Sequence, residues 1–381
     1  MRVDTFSYDL PSERIAQHPA ADREAARLLV LEGGTRTEKT VGDLASLLPR
    51  GALVVLNDTR VLRARLLGRK PETGGKVEIF LVRKLGERRI EVAEGESRDV
   101  EVWRALGKAS KALKFGTDVI VAAGEAPSGS PVPTSVAASQ TQLVVRLLGR
   151  AEEDGLLEVG LTVRGRPSAS VEDAIHELGH IPLPPYIKRD DRAEDAERYQ
   201  TVFARVDGAV AAPTAGLHVT RALLGRLAVH ECEVTMVTLH VGLGTFQPVT
   251  VEDLDQHPMH SEHFEITRTA STAIARARER GAPVVAIGTT VVRALESAAD
   301  PDRPGFVRPM SGDTKLLIQP GYTFRVVDRL LTNFHLPRST LLSMVCAFGG
   351  TERVLAACRA AVEENYRFYS YGDAMLLDRA R

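Results

Sequence analysis

Cysteine is scarce: Cys232, Cys346 and Cys358 are the only three in 381 residues. They are odd in number and have no paired spacing, which excludes a disulfide framework and a cysteine-based zinc site and fits a reducing cytoplasm. Long apolar runs are missing too, none reaching the roughly 18 residues of a membrane span. The opening "MRVDTFSYDLPSERIAQ" has early acidic residues and no apolar h-region, so neither export nor insertion is expected. An excess of either charge is also lacking, the net charge being -1. No internal repeat is visible. What remains, 44% hydrophobic and 26% charged residues, is ordinary for a globular protein long enough for two domains.

The near-zero charge hides an uneven distribution. Between Arg60 and Lys114 stand 15 Lys or Arg against 8 Asp or Glu, so this stretch is +7 and the rest of the chain -8. The plain reading is a solvated strand surface. The sharper one is a phosphate-facing patch, with Lys108, Lys111 and Lys114 of "GKASKALK" as its phosphate contacts and Lys188 and Arg189 as the next candidates.

Organisation changes at the same place. Up to "GALVVLNDTR" the chain reads as a short N-terminal helix followed by a buried strand, Leu53 to Leu56. Beyond it, "KVEIFLVR", "DVIVAAG", "QLVVRLLG" and "LLEVGLTV" are separated by glycine-containing turns and suggest a small all-β barrel over 61–167. Within it, "GEAPSGSPVPTSVAASQ" reads as a polar loop. From 168 on the pattern becomes α/β. "SVEDAIHELG" carries a capping box, Ser170 with Asp173, and Gly179 as its stop. The prolines of "IPLPPYIKR" force it to be extended. Strand–turn–helix units follow in "GAVAAPTAGLHVTRALLGRLAVHE" and "PVVAIGTTVVRALESA", the second with its helix from about Val291, and "CEVTMVTLHVGLGTF" supplies another strand. The expected architecture is α/β: a discontinuous Rossmann-like domain, 1–60 and 168–381, with an inserted β-barrel domain. Ligands of such sheets bind outside the carboxyl ends of the strands, where these turns converge.

"QHPMHSEHFEI" spaces His257, His260 and His263 by three, with Glu262 among them. Pro258 argues against a helix, and on a strand residues three apart face opposite sides, so one metal does not easily collect all three. The spacing also fits no zinc motif. The glycine turns have plain readings of their own. Gly242-Leu243-Gly244 is too short for a dinucleotide fingerprint, His218 after Gly216 caps or packs as readily as it reacts, and His240 in its apolar strand is readable as a satisfied core histidine.

In combination the motifs say more. In order, "IAQHPAADREAARLLVL", "LNDTRVLRARL", "GHIPLPPYIKR", "ERYQTVFA", "VAAPTAGLHVT", "TLHVGLGTFQPV", "HPMHSEHFEI", "AIGTTVVRALES", "LLTNFHLPRSTLLSMVCAFGG" and "YRFYSYGDAMLL" closely resemble the S-adenosylmethionine:tRNA ribosyltransferase-isomerase family of queuosine biosynthesis. The resemblance implies an enzyme that uses S-adenosylmethionine as a ribosyl donor. It would transfer and isomerise that ribose onto 7-aminomethyl-7-deazaguanine at the tRNA wobble position, giving epoxyqueuosine, adenine and methionine. It implies an α/β domain with an inserted barrel, no prosthetic group and no metal, and we expect a cytoplasmic monomer with no membrane partner. A non-catalytic tRNA-binding protein and a metal-dependent nucleoside hydrolase stay as alternatives.

The reaction needs a base for the proton beside the sulfonium. The candidates in matching motifs are His218, His240, His335, Asp58, Glu262 and Asp373, with no choice among them. Substrate contacts are expected from Thr59, Arg60, Pro213, Thr214, Gly216 and Gly242; from Gly244, Thr245, His260, Gly288, Thr289 and Thr290; and from Arg293, Asn333, Arg338 and Tyr371. Arg293 or Arg338 suits a carboxylate or phosphate. Tyr366, Phe368, Tyr369 and Tyr371 offer aromatic faces to a sulfonium. Ser339 is as readable as a helix cap. Ala209, Val219, Leu243, Arg63 and His263 depart from the pattern, which puts substrate fine-tuning in question more than the reaction.

Overall fold

The computed structural model describes residues 1–93, 95–123, 141–151, 155–166, 168–242, 244 and 249–380. The chain divides into two compact units, one of residues 1–60, 184–189 and 197–381, the other of 61–183 and 190–196.

The first unit is built on a nine-stranded sheet. Four neighbouring strands at its centre run parallel, in the order Glu233–Leu239, Leu53–Asn57, Val284–Ile287 and Arg329–Asn333. The last three are buried along their whole length, as apolar parallel strands covered on both faces must be. Alternation sends Leu53 and Val55 into one core and Val54 and Leu56 into the other. Helices Arg268–Glu279, Thr289–Ser297, Thr340–Gly349 and Thr351–Glu363 bury their apolar stripes in the first core, and Arg221–Val229 in the second. Antiparallel strands extend the sheet, Glu262–Ile266 and Met310–Thr314 on one side and Ala374–Asp378 on the other. This is a mixed α/β fold, as the sequence leads one to expect.

The short helix expected before the buried strand is a single turn, Leu44–Leu47, and the chain ahead of it is not α-helical but turned and extended. Two 3-10 turns, Val3–Phe6 and Ser12–Arg14, precede a hairpin of Arg27–Glu32 and Thr35–Thr40 at the sheet edge. Gly33 and Gly34 turn it with φ of +55° and +83°, values that glycine adopts without steric cost. The helix after Ile287 starts at Thr289, two residues earlier than expected, because Gly288 at φ +100° makes the turn alone.

In the second unit six antiparallel strands close into a barrel, in the order Leu157–Arg164, Glu96–Ala109, Lys76–Ala93, Arg65–Arg69, Asp118–Ala122 and Gln142–Arg150. Leu66, Ile79, Val119, Val145 and Val159 are buried within it. Many of its cations are paired: Arg65 with Glu78, Lys84 with Glu101, Arg104 with Glu158 and Arg146 with Asp118. Lys108, Lys111 and Lys114 are exposed and form no ion pair with a described residue. The helix Val171–Leu178 carries the expected capping box, Ser170 with Asp173, and ends at Gly179. The paired backbones of Arg65 and His180 tie this helix to the barrel. The polar loop at 124–140 lies outside the described residues.

Candidate active site

The carboxyl ends of the four parallel strands set Asn57 to Thr59, His240, Gly288 to Thr290 and Asn333 to His335 on one side of the sheet. A cleft of about 580 Å³ opens there, with Tyr186, Tyr199, Thr290, Asn333, His335 and Tyr369 on its walls. Its described lining holds no Asp, Glu, Lys or Arg. Burial raises the phenols of Tyr186 and Tyr369 well above their usual range, so they stay neutral donors. These two rings meet at 3.9 Å between centroids, and Tyr369 is held at φ +76°.

Three histidines stand around this end of the sheet, in different settings. His335 lines the cleft, its Nε2 is 2.8 Å from Thr332 Oγ1, and burial pushes its imidazole down to about 4. His218 is buried behind Asn333, whose Nδ2 donates to His218 Nε2 at 3.1 Å. Burial pushes it down to about 4 as well. His240 bonds Thr59 Oγ1 at 2.8 Å through Nδ1 and stacks on His263, and burial with that neighbouring ring lowers it too. Gly208 faces its ring so closely that a Cβ there would lie 2.8 Å from His240 Cε1.

The three carboxylates are committed elsewhere. Asp58 accepts Arg205 Nη2 at 2.7 Å through one oxygen and Thr238 Oγ1 at 2.7 Å through the other. Asp373 accepts the backbone N–H groups of Arg27 at 3.0 Å and Arg367 at 2.7 Å, which pins the last loop to the first strand. Glu262 accepts Gly242 N–H at 2.9 Å and pairs with the buried Arg293.

A second pocket of about 480 Å³ adjoins the first at Leu341, which lines both. His257, His260, Glu262 and Arg293 stand on its walls. His263 turns away to Asp313, at 2.9 Å, and Ser311, at 3.1 Å. The three evenly spaced histidines therefore do not face a common point.

A family model described as queuosine biosynthesis protein matches residues 3–377. The chain belongs to this family. It is 53% identical to an S-adenosylmethionine:tRNA ribosyltransferase-isomerase of Sorangium cellulosum, over 99% of this chain and 98% of the relative. A protein of the same name from Anaeromyxobacter is 49% identical over the full length of both. The crystal structure of an S-adenosylmethionine tRNA ribosyltransferase from Thermotoga maritima is 31% identical, with a TM-score of 0.50, covering 98% of this chain and 99% of that one.

The family motifs scatter more than their spacing suggests. Pro213, Thr214, Gly288, Thr289 and Thr290 line the cleft with Asn333 and His335. Thr59 is buried beneath His240, whereas Arg60 is exposed. Gly216 packs inside its 3-10 turn against Thr201 and Phe203. Gly244 sits over the His260 ring, and Thr245 lies outside the described residues. Arg338 lines neither pocket: it is exposed and 3.2 Å from Asp4. Of the expected aromatic faces only Tyr369 reaches the cleft. Tyr366 and Phe368 belong to the core, and Tyr371 is buried edge-on to Tyr199. Ser339 caps its helix by accepting Leu342 N–H at 3.1 Å. The backbone N–H of Lys188 donates to Gln17 Oε1, and Arg189 Nε to Gln17 O. Sequence reasoning passes over Tyr186 and Tyr199, although both stand in quoted family motifs, "GHIPLPPYIKR" and "ERYQTVFA".

Proposed function

We propose that this chain transfers the ribosyl group of S-adenosylmethionine, with isomerisation, onto 7-aminomethyl-7-deazaguanine in the wobble position of tRNA, releasing adenine and methionine and leaving epoxyqueuosine. The observation that carries this reading is the full-length family match, with Pro213, Thr214, Gly288 to Thr290, Asn333 and His335 at one cleft on the strand ends. The donor is a substrate, and the reading includes no prosthetic group.

Among the six candidate bases His335 is favoured. It is the one on the cleft wall, where burial keeps its imidazole neutral. The oxygens of Asp58, Asp373 and Glu262 already receive strong donors, so each is better suited to holding its loop. His218 acts through Asn333 as a positioning residue, and His240 orients Thr59. The hydroxyls of Thr289 and Thr290, at a helix start, suit a ribose, and the tyrosine faces suit a sulfonium or a purine.

In this reading the Rossmann-like unit, 1–60 with 168–381, carries the chemistry. The inserted barrel, 61–167, carries the tRNA footprint at Lys108, Lys111 and Lys114, with Lys188 and Arg189 in reserve. The chain works as a cytoplasmic monomer. Its free cysteines are all buried, which suits a reducing compartment. Among the described residues no single helix is long and apolar enough to cross a membrane. Adenine release from S-adenosylmethionine on precursor tRNA tests the reading.

A further inference from the structure

Resting on that reading, the second pocket has features that the adenosyl end of the donor does not need. Arg293 is 6% exposed. Its Nε donates to Leu316 O at 3.1 Å and its Nη1 pairs with Glu262, but its Nη2 has no partner among the described residues. A buried guanidinium N–H left without an acceptor is costly unless a ligand meets it. His257, on the same pocket, likewise has a buried Nδ1 with no partner among the described residues. Around these polar atoms the walls are soft and apolar: Met259, Met344, Leu316, Leu317 and Ile318. The cleft beside it has the opposite character, aromatic and hydroxyl-lined, with Asn333 Oδ1 as a buried acceptor that no donor among the described residues reaches.

S-adenosylmethionine divides in the same way. Its adenosyl end is neutral and aromatic, and its methionyl end is a zwitterion on an apolar chain. Its one anionic group is the carboxylate, and Arg293 is the only Lys or Arg on the described lining of either pocket. We propose that the donor lies across Leu341, with its adenosyl end in the tyrosine-lined cleft and its methionyl end in the second pocket. There the carboxylate takes the unpartnered Nη2 of Arg293, the ammonium lies at His257 Nδ1, and the methylene chain packs on Met259 and Met344. The same pocket would then hold the methionine product.

The test compares S-adenosylmethionine with 5′-methylthioadenosine, which has the adenosyl end but no amino-acid group, by calorimetric titration of the full chain. Met259→Asp puts an acid beside the expected carboxylate site on a half-buried loop position, so the buried Arg293–Glu262 pair stays intact. Leu317→Asp does the same from another wall and serves as the second variant if the first fails to fold. Like-charge juxtaposition predicts that S-adenosylmethionine binding weakens by at least about tenfold, while 5′-methylthioadenosine stays within about twofold. Equal losses for both ligands, or no loss for either, overturn the subsite. Wild-type adenine release is measured alongside. If it proceeds while the variants discriminate nothing, only this placement falls. If the wild type neither turns over nor binds either ligand, the functional reading falls with it.

Discussion

Asn333 lines the cleft and donates its Nδ2 to Nε2 of His218 at 3.1 Å, while its buried Oδ1 has no partner among the described residues. One buried histidine thereby orients the amide of a cleft-lining residue. Sequence reasoning treats His218 and His335 alike, as residues of crevice turns, and the structure separates them. His218→Ala removes a buried ring and strands the Asn333 amide, so it should destabilise the fold by about 2 to 4 kcal/mol. His335→Ala, on the cleft wall, should lower kcat by roughly 10² to 10⁴ with little change in Tm. Thermal melts and turnover measured on both variants check the split. A His335 variant that melts early yet keeps its rate would make it a packing residue.

Stability should depend on these histidines in a defined pH window. His218 has a folded value of about 4, below the ordinary 6.5, so the unfolded chain takes up its proton first. Its contribution is complete above roughly pH 6.5 and is lost as pH falls toward 4, by up to about 3 kcal/mol. Denaturant unfolding at pH 7.5, 5.5 and 4.5 should show a smaller acid loss in His218→Gln than in the wild type. Parallel losses in the two proteins would mean that the ring is not held neutral.

How much of the protein is legible in its sequence follows from where the signals are local. The Ser170–Asp173 box, the Gly179 stop and the strand Val284–Ile287 are written in short stretches, and the structure has them as read. The hairpin of Arg27–Glu32 and Thr35–Thr40 is signalled by Gly33-Gly34, but its exposed second strand has no apolar alternation and escapes a reading based on periodicity. The site is less legible because partners are not local. Asp58 reads as a base until Arg205, 147 positions away, is seen to hold it. Arg338 reads as a carboxylate clamp until the fold turns it to Asp4. Tyr186 enters the cleft from a segment whose prolines announce only that it is extended, and Tyr199 from the residue after the helical turn Asp195–Arg198.

Chelation should leave activity intact. His263 turns to Asp313 while His257 and His260 line a pocket on another side, and Glu262 is engaged by Arg293. Turnover after exhaustive treatment with a chelator should equal that of the untreated enzyme. Loss of rate restored by zinc would contradict this.

Binding of tRNA should report on the exposed lysines of the barrel. If Lys108, Lys111 and Lys114 touch phosphates, changing all three to Gln should flatten the salt dependence of binding by roughly 0.7 to 0.9 log units for each phosphate no longer neutralised. S-adenosylmethionine binding should be unaffected. An unchanged slope in titrations at several salt concentrations would move the footprint to Lys188 and Arg189.

The most direct measurement is a single incubation of the purified chain with S-adenosylmethionine and tRNA carrying 7-aminomethyl-7-deazaguanine, followed by chromatography of the small molecules and mass spectrometry of the digested tRNA. Adenine and epoxyqueuosine should appear in equal amounts, and neither should form when the tRNA carries an ordinary guanine. Tight tRNA binding without adenine release, or adenine release without a modified nucleoside, would contradict the ribosyl transfer assigned to this cleft.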